Sequence, residues 1–356
     1  MFIIYSIHIP PTTKSNLDST THSPKKSLPG SFNKQNFIYA EALYEMNTLK
    51  INEEVPLHQI ITKYCNDIHD AFIDSGDFSV SSLWKYMVDI SILNSQTELN
   101  KMNDTNRQLL LVSLSIKHLE RLFIAHIDSS IQMNYDDVSN IENKSMTTQS
   151  NDLNKLLLFI KTQENLNSRY NSGQNHFDEI LDEDGKFGEI SIWKIIFYCC
   201  RTGSLQSLMF VINNCRQQLG ESYEFLKGFF IDHQNQEVFG QMREDLLITY
   251  KRKVFNSRNC YKKLIYCLMG KFDLDCDFSS ILPTTEDYLW FALNQLNSPQ
   301  KIEDLKSFQH IVRDSYGEEY FRADVQPFTY FIVLLMTLQY EFALEFLERS
   351  QHGKQL

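Results

Sequence analysis

Between Ile190 and Arg349 one amphipathic helical pattern follows another, and no catalytic motif interrupts the succession. The stretch from Ser191 to Gly203 carries Ile192, Trp193, Ile195, Ile196, Phe197, Tyr198, Cys199 and Cys200, and reads as an apolar helix stopped by glycine. Ser204 stands where an N-cap is wanted, ahead of a second helix with Leu205, Leu208, Met209, Val211 and Ile212 leading towards Gly220. Two helices joined by so short a turn lie antiparallel and share a core. Repeated along a chain, that unit predicts an all-α fold, an irregular α-solenoid of antiparallel helix pairs. The product of such a stack is surface, not chemistry.

The scarcity of chain breakers points the same way. Only 12 Gly and 8 Pro occur in 356 residues, which suits long helices better than a turn-rich β architecture. A 42% hydrophobic content supports a large core, and the 25 Phe and 17 Tyr fall largely at helical spacings, where their rings set the distance between helices. The net charge of −11 argues against a broad nucleic-acid-binding face, which needs clustered positive charge. Phe328 to Leu338 is strongly apolar, yet a bilayer span needs roughly 20 such residues. The opening Met1 to Ile9 lacks the basic start and the apolar length of a signal peptide, so a soluble chain without a transmembrane segment is expected.

Residues 1–32 read as a disordered lead, rich in Ser, Thr, Pro and Lys from residue 10 onward. Residues 33–356 read as one α-helical scaffold domain, with polar loops near 134–151 and 171–188. Within it, helices are predicted from Asn33 to Ile51, after Pro56, around Leu83 to Ile92, from Thr105 to Ile131 and from Leu153 to Tyr170. After the pair already described come Tyr223 to Ile231, Val238 to Phe255, Tyr261 to Met269 and Thr285 to Leu296. Ser298-Pro299 is read as a cap for a helix from Lys301 to Tyr316, followed by Pro327 to Leu338 and Glu341 to Glu348. The spacing of Leu109, Val112, Ile116, Leu119 and Phe123 spans two heptads, which favours an intramolecular helix pair over a coiled coil. No fixed period links the units.

Chemical motifs are weak. Cys65, Cys199, Cys200, Cys215, Cys260, Cys267 and Cys276 are scattered, odd in number and mostly set among apolar residues, as buried reduced thiols would be. No Cys-x-x-Cys pair or His-x3-His partner suggests zinc. Asp273, Asp275 and Asp277 alternate like the opening of a calcium loop, but Phe278 and Thr284 occupy the positions that need glycine and glutamate. Gly270-Lys271 lacks the upstream glycine of a phosphate loop. Lys251-Arg252-Lys253 reads as a complement to a helix C-terminus, with a small phosphate patch as the sharper alternative. Phe187-Gly188 and Phe239-Gly240 are isolated dipeptides, not a repeat domain. No catalytic, metal or cofactor residues are assigned.

A set of ordered landmarks carries a resemblance. Trp193, Tyr198, Arg201 and Gly203 lie in the first apolar run; Leu219-Gly220 follow; then come Tyr261, Tyr266 and Cys267, and Asp287, Tyr288 and Trp290. Tyr316-Gly317 and Pro327-Phe328 close the series, and weaker likeness reaches back through Leu83 to Met87 and Tyr39-Ala40. In order and spacing these resemble the nucleoporin-interacting-component family, the helical inner-ring scaffolds of the nuclear pore. The likeness covers nearly the whole chain outside residues 1–32.

The resemblance implies a structural constituent of the nuclear pore complex at the nuclear envelope, with a folded-back helical domain shared with vesicle-coat scaffolds. It implies partners among other nucleoporins and a part in pore assembly, protein import and mRNA export. Nothing in residues 1–32 is similar to the family's N-terminal arm, so recruitment of channel nucleoporins is not expected of this chain. The family's helical domain also continues beyond the length seen here, as if the chain were a fragment. Two other readings stand beside it: a vesicle-coat or tethering adaptor built on the same solenoid, and an enzyme with a cysteine nucleophile in a helical domain. An apolar C-terminal segment, Phe328 to Leu347, is expected to be left uncovered.

Overall fold

The structure is a computed structural model, which describes residues 34–51, 56–75, 78–97, 99–133, 151–170, 184–230, 236–272 and 277–349. The polar lead, most of both expected loops and Asp273 to Cys276 lie outside these residues, as does the Cys276 thiol. The first helices are α1 (Lys34–Ile51), α2 (Leu57–Ser75), α3 (Phe78–Thr97), α4 (Asp104–Met133) and α5 (Asn151–Tyr170). A two-residue hairpin, β1 (Lys186–Phe187) and β2 (Ile190–Ser191), pairs Lys186 with Ser191 and Phe187 with Ile190. There follow α6 (Ile192–Arg201), α7 (Leu205–Asn214), the single turn α8 (Arg216–Leu219), α9 (Ser222–Phe230), α10 (Gln236–Thr249) and α11 (Cys260–Gly270). The last are α12 (Thr285–Leu296), α13 (Leu305–His310), the short α14 (Gly317–Tyr320), α15 (Pro327–Met336) and α16 (Tyr340–Arg349).

The hairpin occupies the end of the acidic stretch read as a loop. Gly188 takes φ +65°, the sign a two-residue hairpin connection favours at its first position. Phe187 packs edge-on against Phe210 of α7, so this Phe-Gly dipeptide is part of a folded turn.

Junctions explain where the helices stop. At the end of α6, Ser204 N–H reaches back to the Cys199 carbonyl (3.0 Å), across Gly203 at φ +65°. This is the wrapped C-terminal turn that glycine permits. Ser204 does occupy the N-cap of α7, but its hydroxyl donates to Ser207 Oγ (2.9 Å) and not to a backbone N–H. Ser298-Pro299 does not open a helix. Lys301 and Ile302 N–H both turn back to the Ser298 carbonyl, a tight 3₁₀ turn covers Ile302–Asp304, and the α-helix begins at Leu305. From Ile311 to Tyr316 the backbone widens into a π turn, as it also does at Tyr250–Val254 beyond α10.

The described residues gather into two compact units. One runs from Leu119 to Gln295. The other joins the helices before His118 to those after Leu296, so it is assembled from distant parts of the sequence. In this second unit Ala42, Ile68, Phe72 and Val80 form a buried cluster, and Tyr39, Tyr64, Trp84 and Phe328 close over it. Tyr86 donates or accepts across to Ser115 Oγ (2.8 Å) and meets Tyr340 Oη at 3.4 Å.

Burial corrects most of the expectation of an uncovered C-terminal segment. Tyr330, Phe331, Val333, Leu334, Leu335 and Met336 are all buried, as are Ala343 and Phe346 of α16. Phe342 and Leu344 remain outside. Tyr330 is covered by Phe321 (5.5 Å) and by Phe346 of α16 (5.1 Å), and Phe328 by the α1–α3 cluster.

Gly203 offers a test of the α6–α7 junction. A Cβ there would lie 2.5 Å from Glu120 Oε2, on a backbone conformation that costs an L-residue about 1–2 kcal/mol. Gly203→Ala is expected to lower the urea midpoint, and Glu120→Ala to recover part of the loss. A double-mutant cycle with no coupling between the two positions would contradict the packing described.

Candidate functional site

The polar centre of the Leu119–Gln295 unit is Arg201, in the last turn of α6, only 1% exposed. Its Nε donates to Asp287 Oδ1 (2.8 Å) on α12, and Nη1 donates to the Leu119 carbonyl (2.9 Å) on α4. The guanidinium lies over the rings of Phe123 (4.4 Å) and Trp290 (5.3 Å). A planar cation with fixed donors is satisfied here on its edge by oxygen and on its faces by aromatic rings. Burial pulls its pKa below the ordinary arginine range, and the Asp287 charge and hydrogen bond push the other way.

Asp287 is itself held by the start of α12. Its Oδ2 accepts from Thr284 Oγ1 (2.8 Å), and Thr284 Oγ1 accepts the Asp287 N–H (3.1 Å). This reciprocal cap satisfies a free helix donor and aims the carboxylate at Arg201. Trp290, one turn on, donates from Nε1 to Glu120 Oε1 at 3.4 Å.

Aromatic rings surround the pair. Phe123 of α4 stacks on Tyr198 of α6 (6.0 Å, 15°), and Phe159 of α5 meets Tyr198 edge-on (5.8 Å). Phe197 touches Tyr261 of α11 (5.3 Å) and Trp290 of α12 (6.1 Å). The half-buried Tyr198 phenol is pushed up to about 12, first by desolvation. Such rings contribute large buried areas plus directional contacts.

A second polar junction lies in the same unit. Asp184, just before the hairpin, accepts from Trp193 Nε1 (2.8 Å) and from Lys262 Nζ (2.7 and 2.9 Å). Asn259 caps α11 by accepting the Lys262 N–H (3.0 Å). Tyr266 packs on Trp193 (6.0 Å) and shares a hydrogen bond with Ser222 (2.7 Å).

The sequence landmarks therefore meet inside the protein. Trp193, Tyr198, Arg201, Tyr261, Tyr266, Asp287 and Trp290 build these two junctions, and Gly203 allows Glu120 to approach. Cys267 is fully buried on α11, and Leu219 is buried ahead of Gly220, whose φ of +53° ends α8. Tyr288 is half-buried beside them. Tyr316, Gly317, Pro327 and Phe328 belong to the other unit. There Tyr316 packs on Tyr320 (4.7 Å), Gly317 takes φ +65°, Pro327 opens α15, and Phe328 closes the N-terminal cluster.

Sequence inspection missed the partners. Phe123 was legible as part of a helical seam but not as the ring over Arg201. Glu120, Asp184 and Lys262 carry no local signature, and a backbone carbonyl such as that of Leu119 never can. Only Asn259, ahead of a helical run, had a legible capping signal.

The cysteines of α6 are poorly placed to act as nucleophiles. Burial pushes the Cys199 thiol up to about 12 and that of Cys200 well above its ordinary range, which disfavours the reactive thiolate. A small, mostly apolar cavity is lined by Phe225, Phe229, Met242, Arg243, Leu246 and Met269. Among the described residues no cluster of His, Cys, Asp and Glu is placed to hold a metal ion. No described helix is long and apolar enough to cross a membrane.

Comparison with known proteins gives a consistent picture. Residues 79–354 match the sequence model of the Nup93/Nic96 family. The chain is 26% identical over 347 residues to the nuclear pore complex protein Nup93 of Xenopus laevis, covering 94% of this chain and 40% of that protein. It is 35% identical over 179 residues to Nup93 of Danio rerio, covering 48% of this chain and 21% of that one. The crystal structure of Nic96 SOL from Chaetomium thermophilum superposes with a TM-score of 0.59 at 14% identity, over 86% of this chain and 46% of its own. The fold is thus the helical solenoid expected from the sequence. The chain spans about two fifths of the length of the Xenopus relative.

Two tests follow from this core. Arg201→Met or Asp287→Leu alone leaves a buried charge unpaired and is expected to cost about 3–5 kcal/mol, whereas the double substitution recovers most of the loss. Additive losses in thermal or urea unfolding would contradict the coupling. With a thiol reagent at neutral pH, Cys199 and Cys200 are expected to react far more slowly than the half-buried Cys260. Labelling of either at the Cys260 rate would restore the cysteine-nucleophile reading.

Proposed function

This chain belongs to the Nup93/Nic96 family, and we propose that it acts as a structural constituent of the nuclear pore complex, a helical inner-ring scaffold at the nuclear envelope. The family match over residues 79–354 carries this reading. A core pinned by buried polar junctions supports it, because a scaffold must hold its outer surfaces in fixed relation.

In this role residues 33–356 serve as part of the helical scaffold domain, and the landmark residues from Trp193 to Phe328 serve to maintain its fold. The chain works by binding other nucleoporins, not by turning over a substrate. It needs no cofactor or metal, does not contact nucleic acid directly, and contributes to protein import and mRNA export by supporting pore architecture.

Expression of the fluorescently tagged chain, with proximity labelling, tests the proposal. The expected result is a punctate nuclear rim with nucleoporins dominating the labelled set. Intact protein confined to vesicles, with coat components labelled instead, would overturn it in favour of a coat adaptor.

A further inference from the structure

The most basic stretch of this acidic chain forms one exposed surface. From Lys251 to Arg258 the sequence has four cations and no carboxylate, in a chain with 45 acidic against 34 basic side chains. The stretch begins in the π turn after α10, where Tyr250 and Val254 point inward and Lys251, Arg252 and Lys253 are all exposed. Lys253 is paired with Glu221 (2.6 Å). Lys251, Arg252 and Arg258 have no ion-pair partner among the described residues.

Two large apolar side chains flank these cations. Ile248 is 48% exposed and Phe255 53% exposed, before and after Lys251 and Arg252 at the spacing that shares a helix face. The Phe255 ring rests edge-on against buried Tyr250 (6.2 Å), which holds it outward in a defined position. A charge run that only solvates a helix end has no use for exposed apolar flanks. π turns also recur at functional positions.

We propose that Ile248, Lys251, Arg252, Phe255 and Arg258 form a docking surface for a short acidic segment of another protein, with carboxylates spaced around one or two apolar side chains. Charge complementarity selects the partner: the patch is locally positive on a negative molecule. A lipid surface fits less well. Polybasic lipid sites gather roughly four to eight cations, against three unpaired ones here. Exposed Glu221, Glu244 and Asp245 would also meet a flat anionic membrane, while a narrow peptide passes between them. The surface deepens the scaffold reading, on which it rests, by naming one binding face and the chemistry of its partner. Absence of peptide binding with the nuclear-rim location retained would sink this surface alone.

Fluorescence anisotropy on the full chain tests this with a fluorescein-labelled Glu/Asp peptide bearing two leucines, beside its Gln/Asn counterpart. Saturable binding of the acidic peptide is expected, weakening as salt rises. K251E/R252E/R258E should weaken it about tenfold or more. K251Q/R252Q/R258Q should give a smaller loss, and Phe255→Ala should weaken binding with the salt dependence retained. All these residues are exposed, and circular dichroism checks that each variant keeps its helical content. No binding to the unaltered chain, equal binding by the charge variants, or equal binding of the Gln/Asn peptide would overturn the proposal. So would co-sedimentation with phosphatidylserine vesicles in the absence of peptide binding.

Discussion

A deeply buried guanidinium is held by the partners that the fold brings to it, and that requirement organises the Leu119–Gln295 unit. Arg201 can be satisfied only if α12 presents Asp287, α4 presents the Leu119 carbonyl, and Phe123 and Trp290 close over its faces. Each partner has its own support. Thr284 orients Asp287, and the bare Gly203 turn leaves space for Glu120 beside Trp290. Removal of any one leaves a desolvated polar group, so the arrangement holds as a set.

Apolar packing alone would not impose this geometry. Leucine and isoleucine faces tolerate small slides between helices, because the hydrophobic effect has no direction. A planar cation meeting one carboxylate and one carbonyl tolerates few such slides. The Asp184 junction acts similarly, tying the approach to the hairpin to α6 through Trp193 and to α11 through Lys262. A stack of short helices held this way keeps its outer faces in register, as a scaffold in the proposed role must.

Core and surface accordingly divide the work. The residues that mark the family resemblance are buried or half-buried, the turn glycines Gly203 and Gly220 apart. The patch around Lys251 and Phe255 lies outside and uses chemistry that the core excludes: unpaired cations beside exposed apolar groups. Partner choice on such a protein depends on side chains whose loss leaves the core untouched.

Helix content and the short α6–α7 turn were determined by the sequence, because helical periodicity and glycine stops act over a few residues. Family resemblance was legible for the same reason: the landmarks are fixed in order along the chain. Pairing across long separations was not. Tyr86 with Tyr340, Phe328 over the Phe72 cluster and Arg201 with Asp287 join positions that no local pattern connects. Tyr330 of α15 is covered by Phe321 and Phe346, so a segment that looks unprotected in sequence is largely buried in the fold. Local sequence sets which face of a helix is apolar. Tertiary structure decides what that face meets, because burial and hydrogen-bond satisfaction are settled only when all the partners are present.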